Sequence, residues 1–110
     1  PISKKIVSLD LLKDCQFNNF IFSKKEDSLA VAYSKGNGVR RVNIYNANEG
    51  DIISKAINEE FNEAEYNIDE LGFNAEEFIF NVSKVNSTGN ADEKEGQYSF
   101  DIKSYEIKKL

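Results

Sequence analysis

Carboxylates are the one chemically active residue type this chain holds in quantity: 19 Asp and Glu in 110 residues, against 14 Lys and Arg, a single cysteine and no histidine. Without histidine, the commonest general base and zinc ligand are missing. Cys15 has no histidine to activate it and no second cysteine with which to form a disulfide or a CxxC metal site. It is expected to be a buried, inert thiol in a reducing compartment. No GxxxxGK[ST] or GxGxxG loop occurs to cradle a phosphate. Asn90, Asp92, Glu93 and Glu95 crowd oxygens together, but they lack the alternating ligands and closing bidentate Glu of a calcium loop. With acids this frequent, carboxylate pairs at any spacing arise by chance. The expectation is therefore a non-enzyme with no catalytic residue, no metal site and no cofactor.

What remains informative is where the charges fall. Residues 1–45 carry eight basic and four acidic side chains, whereas residues 46–77 carry Lys55 against ten carboxylates. Such polarity bears on partners and association rather than on fold. The acidic candidates for partner binding are Glu59, Glu60, Glu63, Glu65, Asp69, Glu70, Glu76 and Glu77. The basic candidates for binding an anion or nucleic acid are Lys24, Lys25, Lys35, Arg40 and Arg41.

These residues need elements to position them. The length suits a single domain over 1–110. Residues 5–12 place Val7, Leu9 and Leu11 at period 2 and predict a strand, as do residues 17–23. Over 28–45, Leu29, Val31 and Tyr33 alternate, then Val42 and Ile44, around Lys35-Gly36-Asn37-Gly38. Asn-Gly predicts a two-residue hairpin turn that pairs Tyr33 with Val42 and Val31 with Ile44, with every large apolar side chain on one face. Residues 49–64 predict the main helix, capped by Asn48, with Ile52, Ile53, Ala56, Ile57, Phe61 and Ala64 on one arc. Glu60 falls inside that arc, so the helix overhangs the sheet, ends early, or buries a partner for it. Residues 65–77 are expected to form a short acidic helix or loop anchored by Leu71 and Phe73, 86–96 an exposed loop, and 97–108 a hairpin with a phase change near Lys103-Ser104. Residues 78–85 fit two readings: Asn74 and Glu77 followed by Phe78, Ile79 and Val82 suit a helix, whereas the Phe78, Phe80, Val82 alternation favours the strand chosen here. The predicted class is α+β: an antiparallel sheet of about five strands, a meander plus a C-terminal hairpin. One main helix follows the third or fourth strand. No apolar run approaches the roughly 20 residues of a spanning helix, and the first residues lack a signal peptide's apolar core, so a cytoplasmic protein without membrane association is expected.

The order DSLAVAYSKGNGVRRVNIYN, EGDIISKAINEEFNEAEY, DELGFNAEE over residues 28–77 resembles the layout of small phage anti-CRISPR inhibitors of Cas9. In that family a hairpin precedes an acidic helical part that blocks the site reading the DNA motif. The resemblance implies a phage-encoded inhibitor or adaptor acting inside a host cell. Its partner would be a basic or nucleic-acid-binding protein, met by the eight acids named above. Carboxylates at phosphate-like spacing would exploit the field that otherwise attracts nucleic acid. The alternative is an OB-fold-like single-stranded nucleic-acid-binding protein, with the five basic residues along a groove and Phe17, Phe20, Tyr33 and Tyr45 as stacking rings. The oligomeric state is open.

Overall fold

The computed structural model describes residues 15–86 and 92–110. The strand expected at 5–12 lies outside them. The described residues form seven strands and one short helix in the order β1 (Gln16–Phe22), β2 (Ser28–Ser34), β3 (Arg40–Asn46), α1 (Lys55–Glu60), β4 (Tyr66–Asn74), β5 (Glu77–Lys84), β6 (Gly96–Asp101) and β7 (Ile107–Lys109). The strands make two antiparallel meanders, β1-β2-β3 and β4-β5-β6-β7. The expected α+β class with a main helix is thereby corrected to a mostly β chain.

Two segments account for the difference. The first is 49–54, which completes a turn at Glu49-Gly50 and then runs extended beside β3 instead of opening the helix. Asn46 Oδ1 accepts the N–H groups of Asn48 and Glu49, and Gly50 takes a positive φ of 80°. Ile52 then bridges Tyr45, Ile53 N–H donates to Ile44 O, and Ser54 Oγ accepts the Ile44 N–H. Helix α1 therefore starts only at Lys55 and ends at Glu60, which resolves the conflict at Glu60 by early termination. Ile57 and Phe61 enter the core, while Glu60 stays exposed. The second segment is 66–74, expected as an acidic helix or loop and found as edge strand β4. Asp, Asn and Gly disfavour strands, but pairing along β5 overrides that weak preference. A bulge between Glu70 and Gly72 turns Leu71 out to solvent and brings Phe73 back opposite Phe78.

The hairpin of β2 and β3 forms with a different turn from the expected one. Lys35 N–H donates to Val39 O and Gly38 N–H to Lys35 O, closing a three-residue loop in which Gly38 alone has positive φ, 87°. A two-residue turn at Asn37-Gly38 would need positive φ at Asn37 too. The register is accordingly Ala32 to Val42 and Ala30 to Ile44, with Tyr33 opposite Arg41. A slip of one residue reverses the faces, so large apolar side chains occupy both. Ala30, Ala32, Val42 and Ile44 join Ile57, Phe61, Ile68, Phe78, Phe80 and Phe100 in the main core, whereas Leu29, Val31 and Tyr45 cluster with Ile52 on the other face. Phe61 is the hub that ties α1 to the second sheet, meeting Tyr66, Phe80 and Tyr98 edge-on.

Candidate functional site

The structure sets the acidic and basic candidates against each other. Glu59 and Glu60 lie on α1, Glu63 and Glu65 in the turn to β4, Asp69 and Glu70 on β4, Glu76 in the β4–β5 turn and Glu77 at the start of β5. Lys24 and Lys25 lie in the β1–β2 turn, Lys35 begins the β2–β3 turn, and Arg40 and Arg41 open β3. Three cross-pairs join the two sets: Arg40 to Asp69 at 2.5 Å, Lys35 to Glu63 at 2.7 Å and Lys25 to Glu76 at 3.7 Å. Lysines from later in the chain meet two more acids, Lys84 with Glu65 at 3.7 Å and Lys94 with Glu60 at 4.0 Å. The polarity of the sequence is thus largely cancelled in space. Among the described residues, Glu59, Glu70 and Glu77 make no ion pair.

Arg41 does not belong to an open basic patch, being 2% exposed. Its guanidinium donates to Tyr66 O at 2.9 Å, Phe61 O at 2.6 Å and Asn58 Oδ1 at 3.0 Å. Phe61 is the C-terminal cap of α1, so the cation sits at the negative end of that helix and ties it to β3 and β4. Burial pushes the Arg41 pKa down, while Tyr33 and Glu63 oppose the shift. Of the four candidate stacking rings, Tyr33 and Tyr45 are buried. Phe17 and Phe20 are half-exposed on β1, with ring centroids 5.9 Å apart, and none of the basic candidates lies in that strand.

The acids of α1 border a groove of about 470 Å³ lined by Ala56, Glu59, Glu60, Tyr98, Tyr105 and Ile107. Its floor comes from β6 and β7, and its far wall from the turn between them. Tyr105 takes a positive φ of 65°, a costly conformation for an aromatic residue. Its ring stacks on Phe100 at 6.0 Å and 10°, yet remains 49% exposed. Tyr98 donates its hydroxyl to Lys94 O, and its pKa is raised by burial first and then by the charges of Glu60 and Asp92. Lys94 Nζ donates to Glu60 O at 3.1 Å, which fixes the end of α1 beside β6.

Two features escaped sequence reasoning. Tyr105 and Ile107 give only a phase change after Ile102, and that pattern predicts a bulge instead of a turn that lifts a ring beside an acidic helix. Tyr66, Lys84, Asp92 and Lys94 form a second cluster. The Tyr66 hydroxyl donates to Asp92 Oδ2 at 3.1 Å, Lys84 Nζ lies 3.4 Å from Asp92, and both lysine ammoniums sit over the Tyr66 ring, at 5.4 and 5.8 Å. Burial and then Asp92 push the Tyr66 pKa up to about 12. Lys94 N–H, chief among its donors, holds Asp92 below the usual carboxylate range. No metal-ligating group of three or more acids or cysteines occurs among the described residues, and no helix there is long and apolar enough to cross a membrane. Compared with protein-family models, curated proteins and solved structures, the chain matches none.

Proposed function

We propose that this chain is a non-enzymatic protein-binding domain, of the inhibitor or adaptor kind, that docks onto a basic surface of its partner through the groove between α1 and the β6–β7 turn. The observation carrying this reading is the placement of Glu59 and Glu60 across from the rings of Tyr98 and Tyr105. A lysine or arginine side chain entering there meets carboxylates at its charged head and aromatic faces along its stem. Exposed tyrosine with acidic neighbours is the kind of anchor that carries binding energy at interfaces. The broader set of eight acids narrows accordingly, because Glu63, Glu65, Asp69 and Glu76 already face cations of the same chain and lie outside the groove, while Glu60 meets Lys94 only at 4.0 Å and Glu59 meets no cation among the described residues. The same pairs weigh against a nucleic-acid groove built from Lys25, Lys35 and Arg40.

The test is titration of a fluorescent peptide rich in lysine and arginine, at low and physiological salt. Saturable binding is expected, weakened about tenfold or more by Glu59→Lys with Glu60→Lys, and also by Tyr105→Ala. A neutral peptide of equal length should not bind. Equal affinity in the charge-reversed variant would remove the groove from consideration.

A further inference from the structure

A second pocket, of about 310 Å³, opens between the β2–β3 hairpin and the turn from α1 to β4, and Tyr33, Arg41, Asn58, Asn62 and Glu63 line it. Two of its polar walls are built into the fold: Arg41 is 2% exposed and Tyr33 is 6% exposed. A guanidinium has five N–H groups. Arg41 uses three of them, on Tyr66 O, Phe61 O and Asn58 Oδ1, which leaves Nε–H and one hydrogen of Nη1 without a described acceptor. The Tyr33 hydroxyl also makes no hydrogen bond with a described residue. Neither residue has a fully sealed, unpartnered polar atom. Both residues line the pocket, so these donors belong to side chains that border its open space.

The other lining groups complete the set. Asn58 presents its Oδ1 to Arg41, so its amide nitrogen, with two hydrogens to donate, is turned away from that contact. Asn62 Oδ1 accepts from Ala64 and Glu65 N–H, and its amide donates to Glu65. Asn62 is thus held in place by its own turn, with one amide hydrogen left over. Glu63 would repel an anion, but Lys35 Nζ lies 2.7 Å from its carboxylate and offsets it. Arg41 makes no ion pair of its own among the described residues: its direct partners are carbonyl and amide dipoles, and Glu63 acts on it only from across the pocket. Counting Arg41 and Lys35 against Glu63 leaves one positive charge.

We propose that this pocket is a binding site for a monoanionic carboxylate, oriented by the remaining donors of Arg41, the Tyr33 hydroxyl and the Asn58 amide. Such a ligand supplies the acceptor that both Arg41 and Tyr33 lack, and its single charge matches the local excess. A phosphate dianion carries one charge more than the pocket offsets, with Glu63 at its rim. The proposal is independent of the groove at Glu59 and Glu60, which other residues line.

Acetate is the direct probe. Amide NMR spectra are followed as acetate replaces chloride at constant ionic strength, with inorganic phosphate as a parallel arm. Saturable shifts are expected at Tyr33, Arg41 and the Asn58 side chain, with phosphate weaker than acetate. Tyr33→Phe keeps the ring and removes only the hydroxyl, and it should weaken acetate binding about tenfold. Glu63→Gln, at an exposed position, should tighten it about threefold. Acetate behaving like chloride, or binding equally well to Tyr33→Phe, would overturn the site. Phosphate binding more tightly than acetate would overturn the carboxylate assignment.

Discussion

Arg40 grips Asp69 side-on: its Nε lies 2.5 Å from Oδ1 and its Nη2 3.0 Å from Oδ2, joining β3 of one sheet to β4 of the other. The geometry is the bidentate fork that arginine forms with carboxylates. Asp69 also raises the Arg40 pKa through that hydrogen bond. Both side chains remain partly open to water, at 47% and 33%, so solvent screening limits what the pair contributes. A double-mutant cycle of Arg40→Ala and Asp69→Ala in urea unfolding should return a coupling of about 0.5–1 kcal/mol that shrinks with added salt. A coupling indistinguishable from zero at low salt would mean that the fork is not populated in solution.

The adjacent arginine should behave differently. Removing Arg41 leaves the carbonyls of Tyr66 and Phe61 and the side chain of Asn58 without their donor, in a buried place. Arg41→Leu should cost about 2–4 kcal/mol. Lysine keeps the charge but loses the planar fork, so Arg41→Lys should recover only part of that loss. Chemical unfolding of the three proteins checks the order. If Arg41→Leu costs no more than Arg40→Ala, the buried guanidinium is not a structural tie.

These two neighbours show what could be read in advance and what could not. As residue types, both arginines and Asp69 were visible candidates. Their partners were not, because the contact from Arg40 to Asp69 spans 29 residues and no local pattern encodes it. Strand β6 is legible because Tyr98 and Phe100 alternate as a half-buried strand does, while β5 follows the Phe78, Phe80, Val82 alternation over the helical spacing of Phe78, Ile79 and Val82 that the same residues also offer. The 49–64 segment misled for a physical reason. Ile52, Ile53, Ala56, Ile57 and Phe61 satisfy a helical arc, yet the same residues serve equally well as an extended stretch followed by six helical residues. Strand β4 was illegible because its acidic and glycine residues suit a loop, and only pairing with β5 makes it a strand. The groove suffered most, since it depends on how a turn around Tyr105 stands beside α1.

Buried phenols give the fold an alkaline limit. Tyr33 and Tyr66 are both pushed up to about 12, chiefly by burial, and burial also raises Tyr45 and Tyr98. A folded-state pKa above the unfolded value of about 10 means that the unfolded chain loses its proton first. The folded state then holds more protons, so stability falls as pH rises between about 10 and 12. Unfolding in urea should show full stability from these groups below pH ~10 and progressive loss above it. Tyr66→Phe should flatten part of that slope. Phenolate absorbance should show Tyr33 and Tyr66 titrating late or only on unfolding, and an unchanged urea midpoint up to pH ~12 would contradict the burial that raises both residues.

The hairpin register rests on Gly38 more than on its neighbour Gly36. Both have open space where a Cβ would go, so neither substitution creates a clash. They differ in backbone alone: Gly38 has φ of 87°, where an L side chain is strained, and Gly36 does not have a positive φ. Gly38→Ala should therefore destabilise by about 1 kcal/mol, with Gly38→Asn milder because asparagine tolerates the left-handed region. Gly36→Ala should be neutral or stabilising by about 0.4–1 kcal/mol, because it restricts the unfolded chain. A two-residue turn at Asn37-Gly38 would make Asn37→Ala costly as well, since both central positions would need positive φ. Under the three-residue loop, Asn37→Ala loses only the hydrogen bond from Val39 N–H to Asn37 Oδ1 at 3.0 Å. Thermal unfolding of the four variants separates the two registers. Asn37→Ala costing as much as Gly38→Ala would favour the two-residue turn, and with it the opposite assignment of faces to β3.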